Sequence, residues 1–191
     1  MHVREKVGSS IFINIISKIR YSQLFWIMTF SFLTFLSAQV FIPTQPVPFT
    51  LQTMMVLLAG AFLGPRNGVY SMLIYLCAGI FGLPVFAQYS FGIGILFGPT
   101  GGYLLSFPFA AFLIGYIIEK KKDTSILLLA FFLGQLLILL AGAGYLSLFL
   151  NGNIGKALFR GALIFSIWDL IKTAAAFSIY KAVSKKYPQL P

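Results

Sequence analysis

Ser166-Ile167-Trp168-Asp169-Leu170-Ile171-Lys172-Thr173 lies inside residues 161–180, a run otherwise compatible with a membrane interior. The run holds one acid and one base, three positions apart, so both sit on one face of a helix. Each such charge costs about 2.5–3.5 kcal/mol at the centre of an inserted helix. A chain carries them there when they face a partner, a cavity or a ligand. Two readings stay open at this point: a structural ion pair bracing a helical bundle, or a substrate site.

The rest of the composition agrees with a membrane setting. Of 191 residues, 59% are hydrophobic and only 9% charged, against about 25% charged in a soluble domain. The apolar runs are continuous. A membrane β-barrel would instead alternate in segments of about ten residues, so the fold class is an all-α integral membrane protein. The single Cys77 excludes an intramolecular disulfide. His2 is terminal and alone, and no metal site is expected.

Outward from the opening stretch, the chain divides into six spans within one domain, residues 1–191. The spans are read at 24–42, 49–63, 68–83, 103–118, within 125–150, and 161–180. Residues 1–22 carry Arg4, Lys6, Lys18 and Arg20 around Phe12, Ile13, Ile15, Ile16 and Ile19, the pattern of a basic amphipathic segment on the cytoplasmic surface. Small residues four apart, Thr34 and Ala38, Ala111 and Gly115, Ala130 and Gly134, predict close helix contacts. Thr34 and Ala38 form a candidate interface, either within the fold or with another protein. Ala141-Gly-Ala-Gly144 is expected to end the fifth span.

Two connections stand out. Pro43-Thr-Gln-Pro46-Val-Pro48 cannot continue a helix, because each proline lacks an N–H and disfavours helical geometry before it. It reads as an ordered outer loop between spans 1 and 2. Residues 83–102 hold five glycines and two prolines yet no charge. Irregular backbone at membrane depth is tolerated only where protein buries it or it lines a cavity. This outer loop between spans 3 and 4 is therefore expected to fold down over the bundle, with Gln88 and Tyr89 as its polar tips. Tyr75, in span 3, either packs or faces a cavity.

The net charge of +10 does not point to nucleic acid, because the bases lie between apolar runs. With both termini inside, eleven of the fourteen basic residues are cytoplasmic, Lys156 and Arg160 are outside, and Lys172 is intramembrane. That asymmetry is the positive-inside pattern. Gly152-Asn-Ile-Gly155-Lys156-Ala157 fails the phosphate-loop pattern in spacing and in its final residue, so no ATP site of the chain's own is expected.

Val47-Pro-Phe-Thr-Leu-Gln-Thr53, Leu57-Leu-Ala-Gly60, Leu63-Gly-Pro-Arg66, Gly82-Leu-Pro-Val-Phe86, Gly98-Pro-Thr-Gly-Gly-Tyr103 and Trp168-Asp-Leu-Ile-Lys172 occur in this order. The ordered set resembles the BioY family, the biotin-binding S components of energy-coupling factor transporters, over roughly residues 38–172. The resemblance implies a six-helix subunit of the bacterial cytoplasmic membrane that binds biotin from the outer side. Its implied partners are a transmembrane coupling protein and cytoplasmic ATPases, with biotin as transported ligand and no cofactor. Two departures stand out: Trp168 occupies a position commonly glycine, and Thr34-xxx-Ala38 replaces the family's Ala-xxx-Ala docking motif on helix 1.

The resemblance makes Asp169, Lys172, Gln88, Tyr89, Gln52, Tyr75 and Tyr103 the candidate substrate-binding residues. Biotin has two ureido N–H donors, one ureido carbonyl and a tail carboxylate. An ionised Asp169 can accept a ureido N–H, while Lys172 keeps it ionised or meets the carboxylate. The tyrosines would cover the apolar ring and tail. An enzyme is not expected, since one His, one Cys and one intramembrane acid supply no catalytic cluster. The rival is a self-sufficient secondary transporter, in which an intramembrane acid relays protons.

Overall fold

The computed structural model of the protein describes residues 22–121, 123–163 and 166–186. Apart from Ser22, the expected amphipathic segment lies outside the described residues. Helix α1 spans Gln23–Ala38 and is uncharged throughout. Its buried side, Ile27, Phe30, Thr34 and Ala38, recurs every three or four residues, while Met28, Phe32 and Leu36 are exposed. Apolar side chains on the outside suit lipid and not water.

The proline-rich segment is not wholly irregular. Two short antiparallel strands flank it, β1 (Phe41–Ile42) and β2 (Phe49–Thr50), with Phe41 opposite Thr50 and Ile42 opposite Phe49. Thr50 thus belongs to a strand, and the next helix starts two residues later. The prolines lie between the strands, where no ladder N–H is required of them.

Helix α2 is assigned continuously over Gln52–Ile80, but Gly64 breaks it with φ 75° and ψ −178°. The two arms, residues 52–63 and 65–80, fold back on each other. A Cβ on Gly68 would lie 3.2 Å from the Gly60 Cα, and at the far end the Gln52 amide donates to the Tyr75 hydroxyl. The connection expected between spans 2 and 3, residues 64–67, shrinks to a single residue. Pro65 can open the second arm because a first-turn residue needs no N–H. Arg66 and Asn67 therefore belong to the helix.

Helix α3 runs over Gly101–Lys120 and packs extensively on α2. Backbones meet closely there, since a Cβ on Gly60 would come within 2.5 Å of the Ala111 carbonyl oxygen. Leu105, Phe109, Phe112 and Tyr116 form its exposed stripe. Helix α4 spans Thr124–Leu146 and continues as a 3-10 turn over Ser147–Leu150. The small residues 141–144 do not end it, contrary to expectation. Gly142 is a packing residue, because a side chain there would enter the Tyr103 ring.

The last span is not one straight helix. Helix α5 (Ile154–Leu158) passes into a π-helical turn (Phe159–Leu163), and helix α6 follows over Ser166–Ser184. The pieces before and after the break are inclined by 47°. The Gly161 carbonyl accepts a hydrogen bond from the Tyr103 hydroxyl at 2.7 Å. A carbonyl engaged from outside in this way suits the loosened π-helical turn. The bend moves Asp169 from the expected mid-span position into the first turn of α6.

Among the described residues, α3 and the 124–150 run are each long and apolar enough to cross a membrane, and the bent pair α5–α6 makes a third. The core of the bundle is built on Val56, Leu57 and Met72 of α2, Ile114 of α3 and Phe131 of α4, all essentially inaccessible.

Candidate functional site

At the end of the bundle where α6 begins, a cavity of about 320 Å3 opens between six parts of the chain. Val47, Pro48, Phe49 and Thr50 come from the strand pair, and Gln52 and Thr53 from the first turn of α2. Phe86, Ala87, Gln88, Ser90, Ile95 and Thr100 come from the glycine-rich loop. Tyr103, Leu104 and Phe107 of α3, Ile138 and Leu139 of α4, and Asp169 and Lys172 of α6 complete the wall. The volume falls in the range of small-molecule sites, about 300–1,000 Å3, and so does the mixture of apolar walls with a few converging polar groups. Residues of both unusual loops line it.

The charged pair is real and buried. Lys172 Nζ lies 2.5 Å from Asp169 Oδ1, and the two side chains are 7% and 5% exposed. Lys172 also donates to the Thr50 carbonyl oxygen at 3.1 Å, and its ammonium sits 4.3 Å from the centre of the Phe49 ring. The base therefore ties α6 to strand β2. The Thr173 hydroxyl donates to the Asp169 carbonyl oxygen at 2.7 Å. Asp169 lies in the first turn of α6. Trp168, beside it, is exposed and packs on Phe49 at 5.9 Å between ring centres. The departure from glycine at this position thus adds an aromatic brace between α6 and β2.

The other candidates fall into three groups. Gln52, Gln88 and Tyr103 line the cavity. Gln52 is held from both sides: its carbonyl oxygen accepts from the Thr50 hydroxyl at 2.9 Å, and its amide donates to Tyr75. Tyr75 lies behind the wall. It is 1% exposed and donates to the Val85 carbonyl oxygen at 3.1 Å, so it braces Gln52 and the loop without reaching the cavity. Tyr89 points elsewhere: its side chain is 63% exposed and is not part of the lining. Gln88 and Tyr89 do form the loop tip together, both with left-handed backbone (φ 60° and 55°).

Thr34 and Ala38 are fully buried. The Thr34 hydroxyl is turned back onto the Phe30 carbonyl oxygen at 2.8 Å. Both side chains are therefore packed within the fold.

Sequence reasoning missed two groups. Gln39, the C-cap of α1, reaches the glycine-rich loop through its side chain. Its neighbours 24–42 read as one apolar span, so nothing local marked it. Gln135 of α4 is 5% exposed and lies beside Asp169, yet neither amide atom has a well-formed hydrogen bond among the described residues. Its spacing from Ile138 and Leu139 puts it on the cavity-facing side of α4, one turn deeper. A lone amide in an apolar run was the available signal.

Comparison with known proteins gives one answer. Residues 12–189 match the model of the BioY family. The "Probable biotin transporter BioY" of Pyrococcus horikoshii is 42% identical over 147 residues, covering 77% of this chain and 86% of that protein. The "Biotin transporter BioY" of Thermotoga maritima is 38% identical over 156 residues, covering 82% of this chain and 92% of that one. The crystal structure of the S-component for biotin from an ECF-type ABC transporter superposes with a TM-score of 0.79 at 29% identity, covering 86% of this chain and 91% of that one. With nearly its whole length matched by the family model and its fold shared with a solved S-component, the chain belongs to the BioY family.

Proposed function

We propose that the protein is the biotin-binding membrane subunit of a biotin uptake system. The observation that carries this reading is the cavity itself: a largely apolar chamber with one buried, pre-paired acid and base at its α6 wall. The names of the relatives and of the structural neighbour supply the ligand.

The chemistry of the pair suits the ureido ring. Asp169 Oδ1 is engaged by Lys172, which leaves its second oxygen to accept a ureido N–H. Lys172 has three N–H donors, of which Asp169 and Thr50 take two. The third can meet the ureido carbonyl. A donor and an acceptor side by side match a ureido edge, where carbonyl and N–H are also adjacent. One biotin molecule is too long to place its distant tail carboxylate at the same point. The tail then runs between Phe86, Leu104, Phe107 and Ile138 toward Gln88, Ser90 and Thr100.

In this reading the chain crosses the bacterial cytoplasmic membrane six times with both termini inside. The spans are α1, the two arms of α2, α3, α4 and the bent α5–α6 unit. A transmembrane coupling protein and cytoplasmic ATPases supply the energy, since the chain has no phosphate-loop pattern. Uptake of labelled biotin into cells expressing the chain with and without those partners tests the arrangement. Dependence on the ATPases supports it. Full gradient-driven uptake by the chain alone would mean a secondary transporter instead. Binding of biotinamide tests the orientation: it should bind like biotin if the pair holds the ureido ring, and much more weakly if Lys172 holds the carboxylate.

A further inference from the structure

The cavity wall contributed by the glycine-rich loop is held by a residue outside the cavity. Gln39 terminates α1 and is half-buried. Its amide nitrogen donates to the Phe86 carbonyl oxygen at 3.0 Å and approaches that of Val85 at 3.5 Å. Its carbonyl oxygen accepts from the Tyr89 N–H at 3.1 Å. One side chain thus closes both ends of the short turn that bears Gln88, much as a neighbouring peptide would in a strand pair. The turn needs such support. Gln88 and Tyr89 both adopt left-handed backbone without being glycine, a conformation that persists only where surrounding structure over-determines it. Within the turn, the Ser90 N–H and hydroxyl both return to the Ala87 carbonyl oxygen. Phe86 anchors its start, 1% exposed and seated against Gly79, where a Cβ would collide with its ring.

We infer that Gln39 is a positioning residue that latches the 85–90 turn over the cavity and thereby sets how Gln88 is presented to the ligand. It does not touch the cavity itself, since it is absent from the lining. The latch joins α1 to the loop between α2 and α3, two parts of the chain about fifty positions apart, so closure of the site depends on where α1 sits. The assignment of biotin as ligand rests on the reading above, whereas the latch itself rests on the hydrogen bonds alone.

The two can be tested separately with Gln39→Met, which keeps length and packing but removes both bonding partners, and with Gln88→Ala. Hydrogen exchange is first measured on the purified full-length protein without ligand. Exchange should accelerate in the 85–90 peptide, at Tyr89 above all, with the α3 and α4 peptides unchanged. An unchanged 85–90 peptide, or faster exchange throughout the protein, would overturn the latch whatever the ligand is. Biotin dissociation is then followed for wild type, the two single variants and the double variant. Gln39→Met should release biotin about tenfold faster, the scale of one or two lost hydrogen bonds. The Gln88→Ala effect should shrink in its presence, because both act through one turn. Unaltered dissociation in Gln39→Met, or effects of the two substitutions that simply multiply, would overturn its role in presenting Gln88. Absence of biotin binding by wild type would instead overturn the ligand assignment and leave the exchange result to stand or fall alone.

Discussion

Asp169 and Lys172 carry opposite charges in a wall where each alone would be very costly. Removing one partner of a buried pair leaves the other uncompensated, typically at about 3–5 kcal/mol, whereas replacing both with apolar groups is often near neutral. Lys172→Met should therefore lower thermal stability in detergent markedly. The Asp169→Leu/Lys172→Met double variant should recover most of that stability without recovering any biotin binding. A merely structural pair would give a double variant that both folds and binds. These two residues were legible as an oddity in the sequence because charge in an apolar run has few explanations. Their companions were not legible in the same way. Gln52 and Tyr103 became lining residues, while Tyr75 became a brace behind the wall and Tyr89 turned outward. Sequence gives residue type and approximate depth, but the side a tyrosine faces is decided by packing against elements far away in the chain.

At the scale of the elements, glycines fix how the helices meet. Gly64 turns α2 back on itself in a conformation closed to other residues. Gly64→Ala should lower stability by about 1–3 kcal/mol, read as a drop in unfolding temperature that biotin only partly offsets. Gly142 receives the Tyr103 ring, and Tyr103 in turn holds the Gly161 carbonyl. Gly142→Leu should thus disturb the approach to α6, weakening biotin binding as well as lowering stability, whereas Gly144→Ala should change neither, as nothing lies near a Cβ placed there. Equal effects of the two substitutions would contradict this account of the α3–α4 contact. The helices were readable from hydropathy because apolar length is a local property. The one-residue reversal at Gly64, the strand pair at 41–50 and the break before α6 were not, since each depends on contacts between separate segments. The run 141–144 illustrates the difference: small residues can end a helix or admit a ring, and only the presence of Tyr103 decides which.

At the scale of the whole molecule, an apolar exterior surrounds a largely apolar chamber that holds one buried ion pair at one end of the bundle. Exposed Phe32, Phe109, Phe112 and Phe132 face outward around the bundle, and the chamber lies where β2, the 86–100 loop and the start of α6 converge. The proposed topology puts Lys156 outside and Lys121 inside. In a background with Cys77 replaced by Ala, Lys156→Cys should react with a membrane-impermeant maleimide in intact cells. Lys121→Cys should react only after the cells are opened. Labelling of both from one side would contradict the six-span arrangement. The central claim is that this chamber binds biotin through Asp169. Titrating purified protein with biotin by calorimetry tests it most directly, comparing wild type with Asp169→Asn, which keeps the shape and removes the charge. One biotin per chain should bind wild type, and the variant should bind at least about tenfold more weakly, the scale of a lost charge-assisted hydrogen bond. No binding by wild type, or equal affinity in Asp169→Asn, would contradict the account.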